Sequence, residues 1–195
     1  MTCENEVKLS NFLLKKYSDI INEREQRTIG EIKGLVDGTD LSIGNFVEEF
    51  KENNYSFKDN YKETLKKLFD FAKKEINFVE VDLGVNYWMS AKEVLELKIV
   101  DDEDYAVFLC SCMKALGDDK AEVIIAELDN LRTHAFVSSV IDDKFLILDP
   151  AQKHEFEEFF GEKTEILRKY SFKKERLKRF LYRFNSDKYE QFLEE

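Results

Sequence analysis

Few residues in this chain can do chemistry. Four acids run together at Asp101-Asp102-Glu103-Asp104, the two histidines are His134 and His154, and the three cysteines are Cys3, Cys110 and Cys112. Carboxylates beside an imidazole can move protons or hold a hard or borderline cation. Asp101, Asp102, Asp104, His134 and Asp149 are the residues that could supply such groups. The plainer role for the acidic run is to open a helix, where negative charge suits the positive end of the dipole. Ala106, Leu109, Cys110, Met113 and Leu116 then recur at intervals of three and four, and Gly117 stands where such a helix stops. Within it Cys110 and Cys112 read as small core residues. There is no Gly-rich phosphate loop, Cys-x-x-Cys pair or His-Glu-x-x-His motif, so nucleotide, zinc-finger and zincin chemistry have no support.

The elements that must position these groups follow from periodicity. Residues 121–128, 133–140 and 144–148 are runs rich in β-branched and aromatic side chains, separated by Asp129-Asn130 and Asp142-Asp143, as in an antiparallel meander. If the last two runs form a hairpin, pairing Ser139 with Lys144 sets His134 opposite Asp149. Pairing Ile141 with Lys144 makes the two diagonal but leaves them on one face, since side chains alternate with period two. Upstream, the pattern is helical. Residues 6–22 form an amphipathic stretch, and 28–36 a shorter one. Ser42 caps the next, Asp59 or Asn60 caps a longer one carrying Tyr61, Leu65, Leu68, Phe69 and Ala72, and Ser90 with Glu93 reads as a capping box. A short extended piece is expected at 78–81. Beyond Pro150, residues 156–170, 173–182 and 187–193 read as helices. His154 reads as a surface residue, and Trp88 as core.

Several of these stretches resemble one family. Trp88-Met89-Ser90, Glu93-Val94-Leu95, Asp101-x-Glu103-Asp104-Tyr105-Ala106 and Leu116-Gly117 are similar to the nucleophile region of transglutaminase-like proteins, a branch of the papain-like cysteine protease superfamily. Thr133-His134-Ala135-Phe136-Val137 and Leu148-Asp149-Pro150 resemble the family's histidine strand and its Leu-Asp-Pro ending, in the required order. The resemblance implies an α+β fold with a papain-like or transglutaminase-like core, a central helix packed on an antiparallel sheet, with helical N- and C-terminal additions. It also implies triad positions at Asp102, His134 and Asp149. In the family, Gly-Asp-Cys introduces the helix and the Cys is the nucleophile; here Val100, Asp101 and Asp102 stand at those positions.

A carboxylate at Asp102 changes the chemistry. Its attack on an amide would give a high-energy mixed anhydride, and beside His134 it favours imidazolium over the neutral base that a Cys-His mechanism starts from. Cys110 and Cys112 cannot substitute, lying about 12 to 15 Å along the helix at about 1.5 Å per residue. The sequence therefore predicts an intact fold with a disabled acyl-transfer site, a pseudoenzyme that acts as a peptide- or protein-binding module. The alternative is a hydrolase using Asp102, His134 and Asp149 with an activated water or a metal. No cofactor and no resident metal are expected, because only Asp102, His134 and Asp149 would share the family's cleft while Asp101 and Asp104 point elsewhere as caps.

The 195 residues suffice for one compact unit, divided as 1–68 helical, 69–150 core and 151–195 a helical C-terminal extension. Three cysteines without paired spacing predict a reducing compartment, and no apolar run is long enough to span a bilayer, so a cytoplasmic protein is expected. The net charge of -11 disfavours nucleic acid and anionic membrane. Basic residues including Lys173, Lys174, Arg176, Lys178, Arg179 and Arg183 nevertheless crowd the C-terminal part. They are expected on the solvated face of an amphipathic helix, with nucleic-acid or acidic-partner binding as the weaker reading.

Overall fold

A helix apolar on every side has to be enclosed, and residues 104–113 are buried without exception. The computed structural model describes residues 2–17, 28–80, 88–152 and 154–193, and the rest of the fold is arranged around that helix. In chain order the elements are α1 (Thr2–Tyr17), α2 (Ile29–Gly34), α3 (Leu41–Glu48), α4 (Phe57–Glu75), β1 (Asn77–Phe78), α5 (Ala91–Leu97), β2 (Ile99–Val100) and α6 (Asp102–Ala115). They continue with β3 (Glu122–Leu128), β4 (Thr133–Ile141), β5 (Lys144–Leu148), β6 (Phe160–Gly161), α7 (Lys163–Lys169), β7 (Ser171–Phe172), β8 (Glu175–Phe184) and β9 (Tyr189–Gln191). No helix among the described residues is long and apolar enough to cross a membrane.

The helical half follows its local signals with small corrections. Ser90 and Glu93 form the capping box that starts α5, and Thr28 with Glu31 forms another at α2. The cap of α3 is Asp40 rather than Ser42, and that of α4 is Ser56 rather than Asp59 or Asn60. In each case the earlier oxygen reaches the free N–H groups of the first turn. Tyr61, Leu65, Leu68, Phe69 and Ala72 all turn inward from α4. The first helix begins earlier than residue 6, and its expected end at 18–22 lies outside the described residues, as does Val81 of the expected extended piece.

The strands form a seven-stranded sheet in the order β6-β5-β4-β3-β8-β7, with β9 against β8. Here the C-terminal part departs from expectation. Of the three helices predicted, only α7 within 156–170 forms; 173–182 is mostly the long strand β8, and 187–193 contains β9. β8 pairs antiparallel with the open side of β3, so it lies inside the sheet rather than on a helical extension. Both faces of the sheet are covered. Val123, Ile125, Ala135, Val137 and Phe184 pack with α6, while Ile124, Ala126, Phe136, Ile147 and Tyr170 pack with α7. Three basic residues of β8 are matched by acids across the ladder: Lys178 and Arg179 by Glu127, and Arg183 by Glu122 and Glu190.

Phe184 distinguishes an inner strand from a peripheral helix. It is fully buried and stacks on Trp88 with ring centroids 5.8 Å apart. Phe184→Ala should lower unfolding free energy by about 3 to 5 kcal/mol in urea titrations, where a residue on a solvated appendage would cost little.

Candidate functional site

The site is built where α6 begins. Buried β2 runs parallel to β1 and delivers the chain to Asp101, whose carboxylate accepts the Asp104 N–H at 3.0 Å as the helix cap. Asp104 is itself buried and accepts the Met89 N–H at 2.5 Å, tying the segment before α5 to the helix. Asp102 opens the helix proper and turns toward the sheet. Its Oδ2 accepts the Ala135 N–H at 2.8 Å and lies 2.6 Å from His134 Nδ1.

His134 sits near the start of β4, and the β4–β5 hairpin decides its second partner. The ladder pairs Ile141 with Lys144 and Val137 with Leu148. This is the second of the two registers open from sequence, and it makes His134 and Asp149 diagonal neighbours on one face. His134 Nε2 is 2.9 Å from Asp149 Oδ2. Both ring nitrogens thus face carboxylates, and each must carry a proton to bond there. Burial opposes the charge, but the Asp149 and Asp102 carboxylates outweigh it and push His134 up to about 10. For Asp102 burial alone would raise the pKa, yet the hydrogen bond and charge of His134 hold it below its usual range.

Asp149 is enclosed and fully committed. Its Oδ2 also accepts Tyr170 Oη–H and Gln152 Nε2–H, both at 2.7 Å, while Oδ1 accepts the Ala151 N–H. His154 is a correction to the sequence reading, for it is only 4% exposed. Its Nδ1–H donates to the Glu155 carbonyl at 2.8 Å and its Nε2 accepts the Asp149 N–H at 3.1 Å, which fixes one neutral tautomer. Burial lowers its pKa against the pull of that carbonyl. His154 therefore holds the backbone of Asp149 from beneath. The ring of Phe172 lies flat on His134. Tyr170, Phe172 and Gln152 were not singled out from sequence. The available signal was the alternation of large residues Tyr170 and Phe172, a period of two that marks extended chain.

A cleft of about 420 Å³ opens in front, lined by Phe78, Glu80, Asp101, Asp102, Glu103, Leu131, Arg132, His134, Phe172 and Lys173 among others. The Asp102 side chain is 19% exposed to it and that of His134 only 1%, so a ligand meets the carboxylate and not the imidazole. Among the described residues no cation pairs with Asp101 or Glu103 at the mouth. Burial and the charges of Asp102 and Asp101 push Glu103 up to about 9, burial and Asp104 raise Asp101, and burial pushes Asp104 to about 7 against its bond from Met89. Asp101, Asp102 and Glu103 each bring a carboxylate oxygen within 4.8 Å of the others, a donor set of the kind a hard cation takes. Asp101 therefore joins the cleft besides capping the helix, whereas Asp104 does not line it. His134 is not in that set, and both its nitrogens face carboxylates instead. Cys110 and Cys112 are fully buried along α6, where burial pushes both thiols up and away from reactivity.

An α6 helix enclosed by other helices and packed on an antiparallel sheet, with its first turn meeting β4 and the end of β5, defines a papain-like α+β core. The chain shares this fold with Legionella pneumophila LapG, at 21% identity over 77% of this chain and 76% of that one, with a TM-score of 0.55. The calcium-bound and EGTA-treated forms of LapG give the same TM-score of 0.55 at 20% identity. At this identity the likeness is one of fold. No family model and no curated protein sequence matches the chain.

The charges dictate a pH dependence. His134, Glu103 and Asp104 have folded pKa values raised above those of the unfolded chain. Their stabilisation is complete below the unfolded values, near 6.5 for His and 4 for the acids, and is lost as pH rises through about 7, 9 and 10. Asp102, with a lowered pKa, adds stability above its unfolded value that is lost in acid. In chelator-containing buffer the thermal midpoint should fall steadily from pH 6 to pH 10. His134→Gln should flatten the upper part of that fall.

Proposed function

We propose that this protein is a peptide- or protein-binding module built on a papain-like core whose acyl-transfer site is disabled. The observation that carries the reading is the 2.6 Å contact between His134 Nδ1 and the Asp102 carboxylate, with Nε2 held at 2.9 Å by Asp149. An imidazolium bonded at both nitrogens has no lone pair with which to take a proton from a nucleophile. The assignment of Asp102 to the nucleophile's place rests on the sequence resemblance around α6, and the direct approach of Asp102 to His134 supports it.

The cleft is what remains for function. Its rim carries Leu131, 69% exposed on a residue with φ of 67°, a backbone state that a leucine adopts only at a cost. An apolar side chain held out beside acidic groups suits an extended peptide better than nucleic acid. The pairing of Lys178, Arg179 and Arg183 with acids in the sheet also supports a peptide over nucleic acid, since it offsets part of the basic charge on which nucleic-acid binding would draw. Free, buried Cys110 and Cys112 accord with a reducing, cytoplasmic setting.

Two measurements test this. Peptides selected on the wild-type protein from a random library should lose at least about tenfold in affinity for Leu131→Asp, which alters the rim without touching the relay. In a Cys3→Ser background, Asp102→Cys should become reactive toward iodoacetamide while the Cys3→Ser parent, with Cys110 and Cys112 buried, stays inert. A thiol-independent peptidase or amidase activity in the wild type, lost in Asp102→Ala or His134→Ala, would overturn the reading.

A second reading, a hydrolase assisted by a cation, draws on the convergence of Asp101, Asp102 and Glu103 and on the existence of LapG in a calcium-bound form. In it the three carboxylates hold a divalent ion, which would supply Lewis acidity toward water or a carbonyl. Calcium should then raise the thermal midpoint of the wild type, and Glu103→Gln should abolish that rise. An unchanged midpoint at millimolar calcium would remove this reading.

A further inference from the structure

Two hydrogen bonds do not by themselves fix the His134 ring. Asp102 and Asp149 hold its opposite nitrogens and the Cβ–Cγ bond holds its third corner, but all three anchors lie at the ring's edge and the two hydrogen bonds are soft enough to let the plane rock. Rocking would take the N–H vectors out of the planes in which the carboxylate lone pairs accept best. A neighbour packed on the ring face opposes that rocking directly. Phe136, the neighbour on the same strand, is tilted by 40° with its centroid 6.4 Å away and cannot define that face.

Phe172 can. Its centroid lies 3.7 Å from that of His134 and the two planes are 13° from parallel. Phe172 is in turn held firmly, at 8% exposure, with Phe78 standing edge-on at 6.3 Å and 84°. The chain reverses directly after it through Lys173 and Lys174, at φ of 50° and 76°, two consecutive left-handed residues neither of which is glycine. The Lys173 ammonium reaches Glu80 at 2.5 Å, and Glu80 also takes Arg132 from across the cleft at 3.2 Å. Two residues earlier, at the end of α7, Tyr170 donates to Asp149. One short stretch of chain thus touches the relay at both its middle and its far end.

We propose that Phe172 is a positioning residue for the Asp102–His134–Asp149 relay, its ring face fixing the imidazole plane so that both ring N–H groups stay aligned with their carboxylates. A flat aromatic face attracts a cation laid against it. An aliphatic side chain of similar size would fill the same space without setting a plane. The inference rests on the reading of the site as a held ion relay, but not on what the cleft binds.

The test is NMR on the ¹⁵N-labelled full chain. The wild type should show both ring N–H protons of His134 in slow exchange, and its carbon-bound ring protons displaced upfield by the Phe172 face. Phe172→Leu should speed exchange of those N–H protons by at least about tenfold with the amide spectrum otherwise preserved. Phe172→Tyr and Phe172→Trp, which keep a flat ring, should restore protection. Wild-type ring protons without an upfield displacement would overturn the proposal, as would a folded Phe172→Leu protein whose ring N–H groups exchange as slowly as before. Should the leucine variant unfold, the wild-type shift and the tyrosine variant still decide. Failure of the peptide-binding reading would leave these signals unchanged, so the two can fail separately.

Discussion

A single buried imidazolium holds two halves of this molecule together. Asp102 belongs to the helical half and Asp149 to the end of the sheet, and neither carboxylate can be taken out of water unpaired without a large desolvation cost. His134 lies between them and meets one with each nitrogen. The Coulombic and hydrogen-bond terms of two short contacts outweigh the burial of the ring, which is why its proton is retained well into the alkaline range. The relay acts as a clasp between α6 and the β4–β5 hairpin as much as it acts as a site.

That clasp also decides what chemistry is possible. A thiol at the start of α6 would leave Nδ1 able to exchange a proton with it; a carboxylate there draws the proton permanently onto the ring. The helix N-terminus that would favour a thiolate instead favours Asp102 as an ordinary first-turn acid. The other acids at the cleft mouth, Asp101 and Glu103, meet no such cation among the described residues, and burial with the neighbouring acidic charges raises the pKa of both. The buried positive charge thus sits at His134, while at the entrance Arg132 and Lys173 are both turned to Glu80.

The surroundings of the relay come from parts of the chain far apart in sequence. His154 fixes the backbone of Asp149, Tyr170 and Gln152 complete its hydrogen bonds, and Phe172 covers His134. All four lie beyond Pro150, in the part that resembles no known motif. Gln152 and His154 are placed by the chain leaving β5, whereas Phe172 is placed by β7 pairing with β8, which itself docks against β3. The C-terminal part is therefore structural support for the site rather than an appended unit.

What the amino-acid order determined unaided was local or short in range. The acidic opening of α6, the Ser90–Glu93 capping box, the inward stripe of α4 and the three strands from Glu122 to Leu148 are each encoded by neighbours within a few residues. The meeting of His134 with Asp149 was also legible, because either of the two hairpin registers that keep them on one face suffices. The fate of 173–184 was not legible. Its mixed basic and aromatic residues satisfy a helical period about as well as a strand's, and only the vacant edge of β3, with Glu122 and Glu127 facing Arg183 and Arg179, selects the extended form. The burial of His154 and the stacking of Phe172 were hidden for the same reason: side-chain pattern reports which face of an element is apolar, whereas the neighbour that covers that face is chosen by tertiary packing.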